Sequence, residues 1–323
     1  MKNVVVTGIL GQDGANMAEY LLSRCDISCK VYGMMRRSAN PNFVNTKKFE
    51  KHPNFEFIYG DLSDEVSIDK IVKDIQPDYF INFAANSFVG CSWDMPLQVM
   101  EVNAIGVLRC LESIRKFKQD CRFYSAGSSE EWGDVDYSPQ DIDHKIKPRS
   151  PYGASKAAAR HLVKVYRESH GLYAVHGILF NHEGTKRGEE FVTRKITKNI
   201  ARLKNSLNAH LESGYQSSIL PMELGNLDAK RDWSDSEDFV EGVWLMMNQD
   251  SPKDYILSSG ETHSIREFVE KAFSFAEING EWRGEGLDEE FGIYIKSNWI
   301  TLLKINKEFF RPAEVDLLLG DST

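Results

Sequence analysis

The sequence predicts an α/β protein: a doubly wound parallel sheet followed by a smaller C-terminal substrate-binding lobe. Three observations carry that expectation. Short apolar, β-branched runs alternate with helix-compatible stretches through residues 1–180. A glycine-rich segment, Thr7-Gly8-Ile9-Leu10-Gly11-Gln12-Asp13-Gly14, joins the first run to the first helical stretch. Beyond about residue 180 the alternation gives way to longer polar loops and separated helices.

The expected strands are Asn3–Val6, Lys30–Met34, Phe55–Tyr59, Tyr79–Phe83, Arg122–Ser125 and Ala174–Leu179. Helical periodicity or composition covers Asn16–Arg24, Ser67–Asp74, Leu97–Phe117 and Tyr152–Ser169 between them. Parallel neighbours need a long crossover, so this order puts helices on both faces of one sheet. We read residues 1–180 as the cofactor domain carrying the catalytic groups. Residues 181–323 form the lobe, with some segments returning to the sheet.

The 323 residues suffice for one large domain or two unequal ones. A net charge of -9 and a pI near 5.5 argue against a general nucleic-acid binder, while leaving room for a locally basic pocket. The five cysteines follow neither a disulfide framework nor a zinc spacing, and no metal site is expected. Cys25 and Cys29 are read as incidental neighbours at a helix end. With no secretory leader pattern and no membrane-length apolar run, a soluble cytoplasmic protein is expected.

Gly8, Gly11 and Gly14, with Gln12 and Asp13 between them, sit between a strand and a helix. Small residues there permit a tight turn and close approach of a pyrophosphate to the helix N-terminus, as in Rossmann-like dinucleotide sites. The Gly-x-x-Gly-x-x-Gly spacing differs from the commoner Gly-x-Gly-x-x-Gly. The second strand runs into Arg36-Arg37-Ser38, where an NAD enzyme usually carries an acid for the ribose hydroxyls. Arginine suits a 2′-phosphate, so NADP is the expected cofactor. Asp61 closes the third strand and is placed either to accept from the adenine amino group or simply to make a turn.

Tyr152 and Lys156 stand four apart, on one helix face. An ammonium near a phenol lowers the phenol pKa and makes a base usable near neutral pH. Upstream stands Ser128-Ser129-Glu130 at a strand end. Alone it reads as a turn cap; beside Tyr152 and Lys156 it adds a carboxylate and hydroxyls that simple alcohol oxidation does not need.

The glycine spacing with Tyr152-x-x-x-Lys156 resembles the extended short-chain dehydrogenase/reductases. Longer strings resemble the GDP-mannose 4,6-dehydratase family within them: Ser150-Pro151-Tyr152-Gly153, Asn181-His182-Glu183, Arg187 through Thr197, Leu224 through Ala229, Arg231-Asp232-Trp233, and Arg311 through Asp316. This resemblance spans nearly the whole chain. It implies a lyase that oxidises C4 of the sugar, eliminates water across C5 and C6, and reduces C6, feeding deoxyhexose synthesis such as that of GDP-fucose. Tyr152 is then the C4 base, Lys156 holds the ribose, Glu130 takes the C5 proton, and Ser128, where the family usually carries threonine, bonds the 4-oxygen. The resemblance also lines the cofactor with Leu62, Phe83, Ala84, Ala85, Ser87, His182 and Arg187. It assigns the nucleotide-sugar to Ser87, Asn181, Val192, Lys195, Arg231, Arg311 and Glu314, with Val192 and Lys195 meeting the guanine. A homotetramer is implied, the Arg36–Ser38 loop reaching a neighbouring subunit, with a dimer as fallback.

Departures from the family pattern are Phe88 in place of histidine, Asn86 in place of glutamine, and Gln98 where tyrosine is frequent. Asn205–Met222 is longer than the usual connection, so a modified loop is expected. The sequence ends at Gly320-Asp321-Ser322-Thr323, where family members continue into another helix; a short member and a trimmed one both fit. Competing readings are a bifunctional dehydratase and 4-reductase, a related nucleotide-sugar dehydratase or epimerase, and a non-catalytic dinucleotide sensor. An epimerase needs no C5 base, and a sensor would be expected to lack Tyr152 or Lys156.

Overall fold

The computed structural model describes residues 1–213, 219–310, 315 and 317–323. The chain forms two compact units. The first comprises Met1–Arg187, Asp232–Glu261 and Leu318–Thr323, the second Gly188–Arg231 and Thr262–Leu317.

The first unit starts β1 (Lys2–Thr7), α1 (Gln12–Ser23), β2 (Cys29–Met35), β3 (Phe55–Tyr59), α2 (Glu65–Ile75) and β4 (Tyr79–Asn82). Then come α3 (Pro96–Met100), a π-helical turn (Glu101–Ile105), α4 (Gly106–Phe117), β5 (Arg122–Ala126), α5 (Pro151–His170) and β6 (Ala174–Leu179). The six expected strands are all present, with ends within a residue of the expected ones. Local sequence chooses the helix starts. Asp64 caps α2 by accepting from the Val66 N–H, and Ser150 caps α5 by accepting from Gly153, with Pro151 in the first turn. The helix expected over Leu97–Phe117 is not one α-helix: the π turn inserts an extra residue. Its Asn103 is buried and occupied on both sides, as described below.

The chain continues through β7 (Asn181–Glu183), α6 (Val192–Ser213), β8 (Met222–Leu224), β9 (Lys230–Asp235), α7 (Ser236–Met247), β10 (Asp254–Leu257), β11 (Thr262–Ser264) and α8 (Ile265–Phe275). It then forms β12 (Glu281–Arg283), β13 (Glu290–Ile295) and β14 (Asn298–Ile305). Of the stretch Asn205–Met222, the part up to Ser213 prolongs α6, and residues 214–218 lie outside the described residues.

Seven described strands of the first unit make one parallel sheet in the order β3-β2-β1-β4-β5-β6-β10. Strand β10 was not expected from sequence. It is a four-residue edge strand whose Asp254 and Tyr255 are only partly buried, so it lacks the apolar signature of the others. Alternate residues of each strand feed opposite cores. Val4, Val6, Ile81, Tyr124 and Val175 pack with α1 and α7, while Val5, Phe80, Phe123 and Ala174 pack with α2, α4 and α5. Each fully buried Val, Leu, Ile or Phe stabilises by about 1.5–3 kcal/mol, so both faces bind their helices firmly. Cys29 is buried on β2, where burial pushes its thiol up to about 11, so it is an inert core residue.

In the second unit β12, β13 and β14 form an antiparallel sheet, joined by β8 running parallel to β14. Phe273 of α8 stacks on Phe291 of β13 at 4.5 Å, and Arg266 binds Glu289 at 2.6 Å and Asp228 at 3.1 Å. Among the described residues no helix is long and apolar enough to cross a membrane.

Candidate active site

The glycine turn comes first. Gly8 has φ +68°, which a side chain would strain, and a Cβ there would sit 3.0 Å from the Ala84 nitrogen. A Cβ on Gly14 would lie 2.7 Å from the Gly8 carbonyl carbon. Gly11 is the N-cap of α1 and no side chain caps that end, so its first N–H groups face the turn. An uncapped helix start behind a turn with no room for side chains fits a dinucleotide pyrophosphate. Thr7 bridges the ends of β1 and β4: its hydroxyl donates to Asn82 at 2.6 Å and accepts from the Ala84 N–H at 2.9 Å. This fixes the Phe83–Ala85 segment beside the turn.

Asp13 and His182 form a built pair. His182 Nε2 is 3.0 Å from Asp13 Oδ2, and Nδ1 is 2.8 Å from the Phe180 carbonyl oxygen. Both ring nitrogens meet acceptors, the arrangement of an imidazolium. Burial would raise the Asp13 carboxyl, but the charge and hydrogen bond of His182, with Arg187 nearby, hold it down to about 2. Burial would lower His182, and Asp13 reverses that, raising it. Gln12 donates to both Asp13 and the His182 carbonyl oxygen, and Arg187 pairs with Glu183 at 3.1 Å. Asn181 precedes His182 on β7, half-buried and paired in register with Trp233.

Arg36, Arg37 and Ser38 are exposed immediately after β2. Burial raises the Asp61 carboxyl, but two bonds from Ser63 and the Arg36 charge bring it below its usual value. Its Oδ1 accepts the Ser63 N–H at 2.9 Å and hydroxyl at 2.7 Å, which is the turn-making role. Leu62 is buried and its carbonyl accepts from Arg109 at 3.0 Å. Ser87 and Phe88 are exposed, and the Asn86 backbone is held from both sides by Asn103, which accepts its N–H at 2.8 Å and donates to its carbonyl at 3.2 Å. Asn103 also donates to Ser155 at 3.1 Å, and Ser155 to the Tyr152 carbonyl at 2.7 Å.

The chemistry-bearing residues meet at the start of α5. Ser128 caps a short 3-10 turn, Ser129–Glu131, accepting the Glu130 N–H at 3.2 Å, and Glu131 closes a capping box by accepting the Ser128 N–H. Ser128 therefore is a turn cap, and its hydroxyl lies close enough to the Tyr152 phenol to favour the phenolate. A Cβ on Gly153 would overlap the Glu130 carbonyl oxygen, so the bare glycine lets the turn lie against the first turn of α5. Tyr152 and Glu130 are both buried.

Burial, the largest influence, pushes the Tyr152 phenol well up; the Ser128 bond and the Arg187 charge act the other way. Lys156 donates to the Ala126 carbonyl at 2.6 Å, with its nitrogen 5.8 Å from the Tyr152 ring centroid. Burial draws the Lys156 ammonium down to about 8, against Glu131 and Asp13. Desolvation, rather than Lys156, sets the direction of the phenol's shift, and Ser128 supplies the main relief.

In the second unit, Val192 and Lys195 lie in the first turn of α6, and Lys195 stands 3.5 Å from the Phe309 ring centroid. Burial lowers its ammonium. Arg231 is buried and donates to the Lys230 carbonyl at 2.8 Å. Arg311 and Glu314 lie outside the described residues.

Sequence reasoning missed Asn103, Ser155, Glu131 and His176. For Asn103 the signal was a polar residue on the inward side of an apolar helix pattern; the others gave none.

Comparison with known proteins agrees with this arrangement. The family model described as GDP-mannose 4,6 dehydratase matches residues 5–323. The chain is 41% identical to a GDP-mannose 4,6 dehydratase of Drosophila melanogaster, over 100% of this chain and 80% of that one. It is 38% identical to the Homo sapiens protein of the same name, over 99% and 84%. It is 41% identical to a GDP-mannose 4,6-dehydratase of Sinorhizobium fredii, over 100% and 89%. Among solved structures, a UDP-glucose 4-epimerase of Thermotoga maritima superposes with a TM-score of 0.78 at 18% identity, covering 99% of this chain and 90% of that one. A dTDP-glucose 4,6-dehydratase of Streptomyces venezuelae with NAD bound gives 0.73 at 21%, over 86% and 82%. These structures share the fold of a parallel sheet with flanking helices.

Proposed function

The chain belongs to the GDP-mannose 4,6-dehydratase family, a family of lyases, and on that premise we propose how its residues divide the work. The substrate is GDP-D-mannose and the products are GDP-4-keto-6-deoxy-D-mannose and water. The cofactor is a nicotinamide dinucleotide, and Arg36 and Arg37, exposed after β2, favour NADP over NAD. Gly8, Gly11 and Gly14 hold its pyrophosphate against α1, with Gln12, Asp13, Ser38, Asp61, Leu62, Phe83, Ala84, Ala85, Ser87, His182 and Arg187 around it.

When bound, the dinucleotide would supply reversible hydride storage between C4 and C6, so net redox is zero. Tyr152 takes the proton of the 4-hydroxyl, and the Ser128 hydroxyl relays it. Lys156 holds the ribose. The C4 ketone makes the C5 proton acidic, and Glu130 removes it. The same carboxylic acid gives the proton to the departing 6-hydroxyl, so water leaves, and the proton taken from the 4-hydroxyl goes to C5 as C6 is reduced, which restores both bases. Asn181, Val192, Lys195, Arg231, Arg311 and Glu314 are assigned to the nucleotide, the arginines to the diphosphate. The assembly is a cytoplasmic homotetramer in which the Arg36–Ser38 loop reaches a neighbour.

One observation supports the reading: Ser128 and Glu130 share one short turn, and that turn lies against the first turn of α5, where Gly153 next to Tyr152 meets the Glu130 carbonyl oxygen. The test is incubation of the purified protein with GDP-mannose and no added reductant. Formation of the 4-keto-6-deoxy product is expected. Inactivity on GDP-mannose with turnover of a UDP- or dTDP-sugar overturns the substrate assignment.

A further inference from the structure

Beneath the catalytic turn lies a pair of titratable side chains that the proposed reaction does not use. Glu131 and His176 are both fully buried. His176 Nε2 is 2.9 Å from Glu131 Oε1, and that same oxygen accepts the Ser128 N–H at 2.9 Å. Ser128 in turn accepts the Glu130 N–H. One carboxylate oxygen therefore ties β6 to both ends of the turn that carries the Ser128 hydroxyl and the Glu130 carboxylate.

The surroundings are shaped for this contact. A Cβ on Gly127 would lie 2.6 Å from Glu131 Oε1 and would overlap His176 Nε2. In the sheet register His176 stands between Ser125 on β5 and Asp254 on β10. Arg160 grips Asp254 at 3.0 Å and Arg167 at 2.9 Å, both from α5, the helix of Tyr152 and Lys156. His176 thus has Glu131, which fixes the turn, hydrogen-bonded to its ring, and Asp254, which the α5 arginines hold, as its register neighbour on β10. Glu131 Oε2 and His176 Nδ1 make no hydrogen bond. Replacing a buried ion-pair-type contact by apolar side chains of equal volume is often neutral for stability, so packing alone does not call for an imidazole beside this carboxylate.

We propose that Glu131 and His176 are a positioning pair for the dehydration. Their hydrogen bond holds the Ser128–Glu131 turn in register, so that the hydroxyl and the C5 base keep their places beside Tyr152. This rests on the reaction assigned above; the parent protein's turnover of GDP-mannose in the same assay tests that assignment separately.

His176→Gln and His176→Asn, made in the full chain, distinguish positioning from packing. Glutamine carries a donor where the imidazole has Nε2; asparagine reaches only as far as Nδ1. His176→Gln is expected to keep kcat within about threefold, and His176→Asn to lower it about tenfold or more with KM for GDP-mannose within about twofold. Using GDP-mannose deuterated at C5, the isotope effect on kcat should grow in His176→Asn and not in His176→Gln. Thermal melting of the two should agree. Where neither folds, Glu131→Gln, which keeps an oxygen for the Ser128 N–H, should stay near the parent, and Glu131→Ala should lose about tenfold or more. Parent-like turnover in both members of a pair, or an equal fall in both, overturns the proposal.

Discussion

The α-carbon of Gly153 faces the carbonyl oxygen of Glu130 so closely that a methyl group on it would overlap that oxygen. Two segments separated in sequence, the turn after β5 and the first turn of α5, come into van der Waals contact at this position. Gly153→Ala must push the turn away, and a shift of about 1 Å at reacting groups costs about a hundredfold. The expected outcome is a fall in kcat of that size with cofactor affinity unchanged, read by steady-state kinetics and by dinucleotide titration.

In the proposed mechanism Glu130→Gln removes the C5 base while keeping the shape of the turn. General base catalysis contributes about 10²–10⁴-fold, so dehydration should fall by that factor. The glutamine protein should still bind its dinucleotide, measured by titration. Dehydration at the parent rate would transfer the base role to another group.

In the proposed site the exposed Arg36 and Arg37 carry the preference for NADP over NAD. Replacing both with alanine should weaken NADP by about ten- to a hundredfold, the worth of one lost charge-assisted bond to a phosphate, and leave NAD nearly unchanged. Parallel titrations with the two dinucleotides check it; equal weakening of both would place the arginines elsewhere in the site.

Acid stability follows from Asp13. Its folded pKa, about 2, lies below the ordinary carboxylate value of 3.8, so its contribution is present above the unfolded value and is lost as pH falls toward the folded one. Between pH 5 and pH 3 that amounts to about 1 kcal/mol. His182, raised by the same contact, has the opposite sign: its share is present below its unfolded value and is lost as pH rises through the folded one. Denaturant titrations should show Asp13→Asn to be less acid-sensitive than the parent by about 1 kcal/mol over that interval, with an equal slope in both proteins counting against the ion pair.

Much of this was legible in the chain itself, and the parts that were not share a cause. Val4–Val6 and Phe80–Ile81 announce strands because both their faces are buried. The glycines of the first turn and the pairing of Tyr152 with Lys156 are local patterns, so spacing reveals them. Strand β10 escaped because its neighbour, not its composition, makes it a strand. Glu131 and His176 escaped for a similar reason: a second glutamate in a row and a histidine in an apolar run acquire meaning only when β5 and β6 align. The direction of the Tyr152 shift was not legible because burial, a tertiary quantity, sets it.

The π turn at Glu101–Ile105 bears on how this protein could evolve. One surplus residue turns everything before it by about 100° relative to everything after it. A chain under pressure only to be a good helix would shed that residue and bring its two apolar stripes into phase. Here the loss would swing Asn103 off the Asn86 backbone and off Ser155, releasing together the loop of Ser87 and the helix of Tyr152. A single-residue deletion anywhere in that segment is therefore a quiet change for the helix and an abrupt one for the site, so length there is fixed more strictly than identity.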